Sequence, residues 1–178
     1  MSTEPNVPID ICDDFGRQRL PRWQELPDLD LYMDQVLSLI GRYLGAYPSF
    51  QDKGLTAAMV NNYVKQGVLP PPTKKKYSRS HIARLIILCL LKPSLPIPVI
   101  RLLMDSELET APEEATYDHF CALFEETTRS AAESAQNLLA SSDQQSGPLS
   151  AIYLSALRAQ AEQALALQLF GAIFPKAK

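Results

Sequence analysis

The chain has 178 residues, 46% of them hydrophobic and 21% charged, with a formal net charge of −3. That length suits one domain or a small domain with an appendage, and the composition suits a globular protein able to bury a core. The three cysteines, Cys12, Cys89 and Cys121, are odd in number, far apart and without a C-x-x-C pair, which argues against a disulfide framework or a zinc site and for a reducing cytosol.

In chain order, residues 1–29 read as an irregular N-terminal arm, broken by Pro5, Pro8, Pro21 and Pro27. Residues 1–8 lack the basic-then-apolar pattern of a signal peptide. A helix is predicted over 30–47, where Val36, Leu37, Ile40, Tyr43, Leu44 and Tyr47 recur three and four apart and Pro48 stops it. The next helix is predicted from an N-cap at Thr56 to about Gln66, with Gly67 as its exit. Its inner face is Met59, Val60, Tyr63 and Val64; its outer face is Ala58, Asn61, Asn62 and Lys65. Small, amide and basic residues along one stripe suit a helix lying in a major groove. Pro70, Pro71 and Pro72 end it, and Lys74-Lys75-Lys76-Tyr77 follows as a short basic hairpin-like loop. Ser78 caps a helix over about 79–91, and Pro98 sits in the first turn of a short one ending near Met104.

From Pro112 a longer helix is expected. Tyr117, Cys121, Phe124, Thr128, Ala131, Ala135 and Leu138 alternate four-three spacing along it. After a polar loop at 141–148, the final helix over 149–174 is apolar on most sides and calls for burial in its own bundle or in a partner. Residues 150–174 include Arg158, Glu162, Gln160, Gln163 and Gln168, so no membrane span is expected and the protein reads as cytoplasmic.

Charge is segregated. Residues 53–104 hold nine of the 17 basic residues and none of the 20 acidic ones, so that segment carries +9 and the remainder −12. Such asymmetry is the electrostatic footprint of a polyanion-binding module on an acidic chain.

The run Met59-Val60-Asn61-Asn62-Tyr63, then Lys65, Gly67-Val68-Leu69, Pro70, Lys76-Tyr77-Ser78 and Ile82-Ala83-Arg84-Leu85 resembles the MerR-type winged helix-turn-helix. More closely, 60–69 with 74–78 is similar to a bacterial family of unknown function with a predicted MerR-like DNA-binding part. The resemblance implies an all-α fold: a winged helix-turn-helix over 30–104 with a short wing, then a C-terminal helical region over 112–178 that dimerises or regulates. It implies double-stranded DNA and a second copy of the chain as partners, with no effector identified. Asn61 and Asn62 stand where MerR-like recognition helices carry an arginine and an aromatic. The wing is shorter and has no Gly at its turn, and the helix before it is longer.

Roles follow from chemistry. An Asn pairs with adenine through two hydrogen bonds, which makes Asn61 and Asn62 candidate readers beside Ala58. Lys65, Lys74, Lys75, Lys76, Arg79 and Arg84 are candidates for phosphates, and Tyr77 for the backbone from the wing. An enzyme is not expected. The chain has two histidines, His81 and His119, and no G-x-S-x-G, H-E-x-x-H or phosphate-cradling glycine loop. No catalytic residue, cofactor or metal is assigned. The alternative function is a helical protein-interaction module whose basic segment binds an acidic partner.

Overall fold

The structure is a computed structural model that describes residues 9–45, 47, 50, 54–141 and 147–175. The stop at Pro48, Lys53, most of the 141–148 loop and the N-terminal residues 1–8 lie outside the described residues. Helices dominate: α1 (Ile9–Gly16), α2 (Met33–Leu44), α3 (Ala57–Lys65), α4 (Arg79–Leu91), α5 (Ile97–Leu108), α6 (Glu113–Ser141) and α7 (Gly147–Ile173). A short 3-10 turn (Trp23–Glu25) and two strands, β1 (Leu31–Tyr32) and β2 (Lys76–Tyr77), complete the described elements. The fold is therefore all-α with one small ladder. The strands run antiparallel, Leu31 opposite Tyr77 and Tyr32 opposite Lys76.

The chain divides into two compact units, one of Leu20–Cys121 and one of Met1–Arg19 with Ala122–Lys178. In the first, α2, α3, α4 and α5 enclose a core in which Ile40, Val60, Ile82, Leu85, Ile86 and Ile100 have lost essentially all contact with water. Burying such side chains stabilises by roughly 1.5–3 kcal/mol each. α4 is the central helix: residues 81–83 and 85–88 are all buried, so it is enclosed on most sides rather than along one stripe. The unit reaches beyond 30–104 because the segment after Leu20 is tied to the start of α6. Tyr117 donates its hydroxyl to Pro21 O at 2.9 Å, and Trp23 N–H donates to Asp118 Oδ1 at 2.7 Å. The Trp23 and Tyr117 rings meet edge-on at 6.2 Å.

In the second unit, α1 corrects the expectation of a wholly irregular arm. Residues 9–16 contain no proline. The short helix is held by Gln136 Nε2 donating to Asp13 Oδ1 at 2.6 Å, and by Gly16, where an added Cβ would meet Ala132 Cβ at 2.9 Å. Along α6, Tyr117, Cys121 and Thr128 of the expected stripe are buried, but further on Ala132 is buried and Ala131 is exposed. A straight helix drifts about 20° per heptad from a 3.5-residue repeat, so the inward position moves on by one residue.

Candidate nucleic-acid interface

All the sequence-predicted site residues lie in the Leu20–Cys121 unit. α3 begins where its cap chemistry dictates: Thr56 Oγ1 accepts from Met59 N–H at 3.2 Å. Val60 and Tyr63 turn inward, leaving Ala58, Asn61, Asn62 and Lys65 exposed on the opposite face. The helix ends in a Schellman motif: Val68 N–H donates to Tyr63 O and Gly67 N–H to Val64 O, both at 3.0 Å, with Gly67 left-handed at φ 69°. Arg101 closes this end by donating to Gln66 O at 3.1 Å, a cation at the negative pole of the helix. Arg101 was not among the sequence-predicted site residues, and nothing local in the chain points to the pairing.

The basic loop after Pro72 is a minimal hairpin. Thr73 N–H donates to Lys76 O at 3.1 Å and Lys76 N–H to Thr73 O at 2.9 Å, closing a two-residue turn on Lys74 and Lys75. Both have positive φ, 51° and 63°, the pattern of a type I′ turn that Asn-Gly ordinarily fills. Two lysines in this conformation cost roughly 1–2 kcal/mol each. Strain of this kind persists where the surroundings over-determine it and clusters at functional loops. Both are exposed and make no ion pair among the described residues. Lys76, half-buried, sets its ammonium 5.1 Å from the Tyr32 ring centre, which ties the hairpin to β1.

The remaining candidates face partners within the unit. Tyr77 is buried, its ring edge-on to His81 at 5.4 Å, and burial raises its phenol above the usual range. Arg79 is half-buried, with its guanidinium 5.8 Å from the Trp23 ring centre and Nε donating to Pro27 O at 3.4 Å. Arg84 has a side chain only 15% exposed; its Nε lies 3.2 Å from Glu113 Oε1 and its Nη1 3.8 Å from Asp105 Oδ1. Ser80 Oγ donates to the same Glu113 oxygen at 2.6 Å. The chemistry of Arg84 here is therefore that of a fastener between α4, α5 and the start of α6.

His81 sits behind the hairpin, against Tyr77. Its Nδ1 accepts from Ser78 N–H at 3.0 Å and lies 2.8 Å from Ser78 Oγ, which fixes the neutral ring with its proton on Nε2. Nε2 is enclosed and makes no well-formed hydrogen bond among the described residues. Burial lowers the pKa of this imidazole and Arg84 adds to the effect; the Pro70 and Pro71 carbonyls and Asp30 oppose it. Among the described residues no group of His, Cys, Asp and Glu is arranged to hold a metal ion, and no helix is long and apolar enough to cross a membrane.

The model of a family described as "Domain of unknown function (DUF1836)" matches residues 21–121, a span nearly coincident with the Leu20–Cys121 unit. No curated protein and no solved structure matches the chain.

Proposed function

The chain belongs to the DUF1836 family, and we propose that its Leu20–Cys121 unit is a sequence-specific DNA-binding domain of MerR-like winged helix-turn-helix type, serving a homodimeric transcription regulator. The observation that carries this reading is the pairing of two exposed features inside one acid-free segment. One is the Ala58, Asn61, Asn62, Lys65 face of α3; the other is the strained two-lysine turn at Lys74 and Lys75.

In this reading α3 enters the major groove. Asn61 and Asn62 read base edges, and Ala58 packs on a thymine methyl. Lys65, Lys74 and Lys75 neutralise phosphates, supported by Lys76 and Arg79. Tyr77 and Arg84 act from inside the fold, holding the wing and α4 in place. The hydrogen bonds to bases choose the sequence; the lysines set affinity and its salt dependence.

Binding titrations on duplex DNA test this division. Lys74→Ala with Lys75→Ala weakens binding to every sequence and makes the slope of log K against log salt shallower by roughly one unit per lysine. Asn61→Ala loses about 1–3 kcal/mol of discrimination at a single base position. Unchanged slopes and unchanged base preference would refute the assignment.

A further inference from the structure

Two features of the Leu20–Cys121 unit meet at one residue. The first is the turn on Lys74 and Lys75, both at positive φ. The second is His81, a titratable side chain 7% exposed that the proposed function does not use. The turn is closed by two hydrogen bonds between Thr73 and Lys76, and β2 behind it is two residues long. Strain in so small an element leaves the closed hairpin a narrow margin over an open one.

β2 leads straight into Ser78, and the ring of His81 fastens Ser78. The Ser78 N–H donates to Nδ1 at 3.0 Å, and Ser78 Oγ lies 2.8 Å from the same atom. The ring packs edge-on against Tyr77, and the Pro70 and Pro71 carbonyls, just past the exit of α3, bear on it from the other side of the hairpin. His81 thus joins the end of α3, the hairpin and the first turn of α4. The titratable and charged groups around it are Tyr77 on β2, Arg84 on α4 and Asp30 just before β1. Burial is the largest influence and disfavours a charged ring.

A neutral ring with a lone pair on Nδ1 accepts from Ser78. An imidazolium carries a proton there and accepts nothing, so protonation sets donor against donor at the base of the hairpin. The proton binds best where the ring reaches water, and acid therefore selects the open hairpin.

We propose that His81 is an acid-released latch: neutral, it holds Ser78 and keeps the hairpin at Lys74 and Lys75 closed; protonated, it lets the hairpin open and release duplex DNA. The release of DNA rests on the function proposed above; the opening of the hairpin does not. An exposed ring titrates at about 6.5, so the ratio of open to closed rises by as much as ~10-fold between pH 7.5 and 5.5.

The test follows the full parent chain by NMR without DNA. Over that interval the amides of Lys74, Lys75 and Lys76 are expected to move toward random-coil shifts along one proton-uptake curve, in step with the His81 ring carbons, while those of the buried stretch 85–88 keep theirs. His81→Gln retains an acceptor three residues after Ser78, as in a capping box, but takes up no proton. Its hairpin shifts are expected to stay fixed; if the variant holds the hairpin less well at every pH, the parent's own curve decides. In titrations on duplex DNA the parent is expected to lose several-fold more affinity than His81→Gln, with a shallower slope of log K against log salt as the two lysines disengage. A ring that does not titrate, a ring that titrates beside a motionless hairpin, or a movement shared by 85–88 overturns the proposal. So does a parent affinity that holds or rises in acid relative to the variant. Ring and hairpin titrating together in a chain that binds no duplex at any pH upholds the latch and removes the DNA-binding reading instead.

Discussion

Two residues carry tension that a variant can release. Lys75 occupies the second centre of the I′ turn at φ 63°, where glycine is free of the Cβ penalty. Lys75→Gly is expected to raise stability by about 1 kcal/mol and, under the proposed function, to weaken binding to duplex DNA. Urea denaturation reads the first effect, and an unshifted midpoint would contradict it. His81 is the second. Burial lowers its folded-state pKa below the ordinary 6.5, so the unfolded chain takes up a proton first as pH falls. Stability is thus full above about pH 6.5 and declines as pH drops from there to the folded-state pKa, by at most about 1.4 kcal/mol per pH unit. Protonation would also place a proton on Nδ1, the atom that accepts from Ser78 N–H. The parent chain is expected to lose more stability than His81→Gln between pH 7.5 and 5.5. Equal losses would show that His81 does not titrate in that window.

At the scale of elements, the parts legible in the sequence are those fixed by local chemistry. The start of α3 at Thr56, its exit at Gly67 and the inward pair Val60 and Tyr63 were all expected, because caps and a 3.6-residue period act within one or two turns. Thr56→Ala is expected to cost about 1 kcal/mol through the unmet Met59 N–H. Gly67→Ala is expected to cost more, since it adds a Cβ at φ 69° and sets it 3.1 Å from Arg101 Nη1. Thermal melts that rank the two variants the other way would contradict this account of the exit. What escaped the sequence depends on partners distant in the chain. α1 is too short to stand alone and forms against Gln136 and Ala132. Arg84 looked like a phosphate ligand because the two carboxylates that hold it, Asp105 and Glu113, lie just past the acid-free segment. Tyr32 and Trp23 gave no sign that they would sit against Lys76 and Arg79.

Over the whole molecule, the segregation of charge carries the most weight. The sequence alone exposes a +9 segment in a chain of net −3. The structure sorts those charges by availability: Lys65, Lys74 and Lys75 face water, while Arg84 and Arg101 spend theirs on Asp105, Glu113 and the end of α3.

The central claim is that this chain reads a DNA sequence through α3, and selection of bound fragments from genomic DNA tests it most directly. The parent chain is expected to enrich a small set of fragments sharing one motif, and Asn61→Ala the same fragments with one position relaxed. Enrichment without any shared motif, or a motif unchanged by Asn61→Ala, would contradict it.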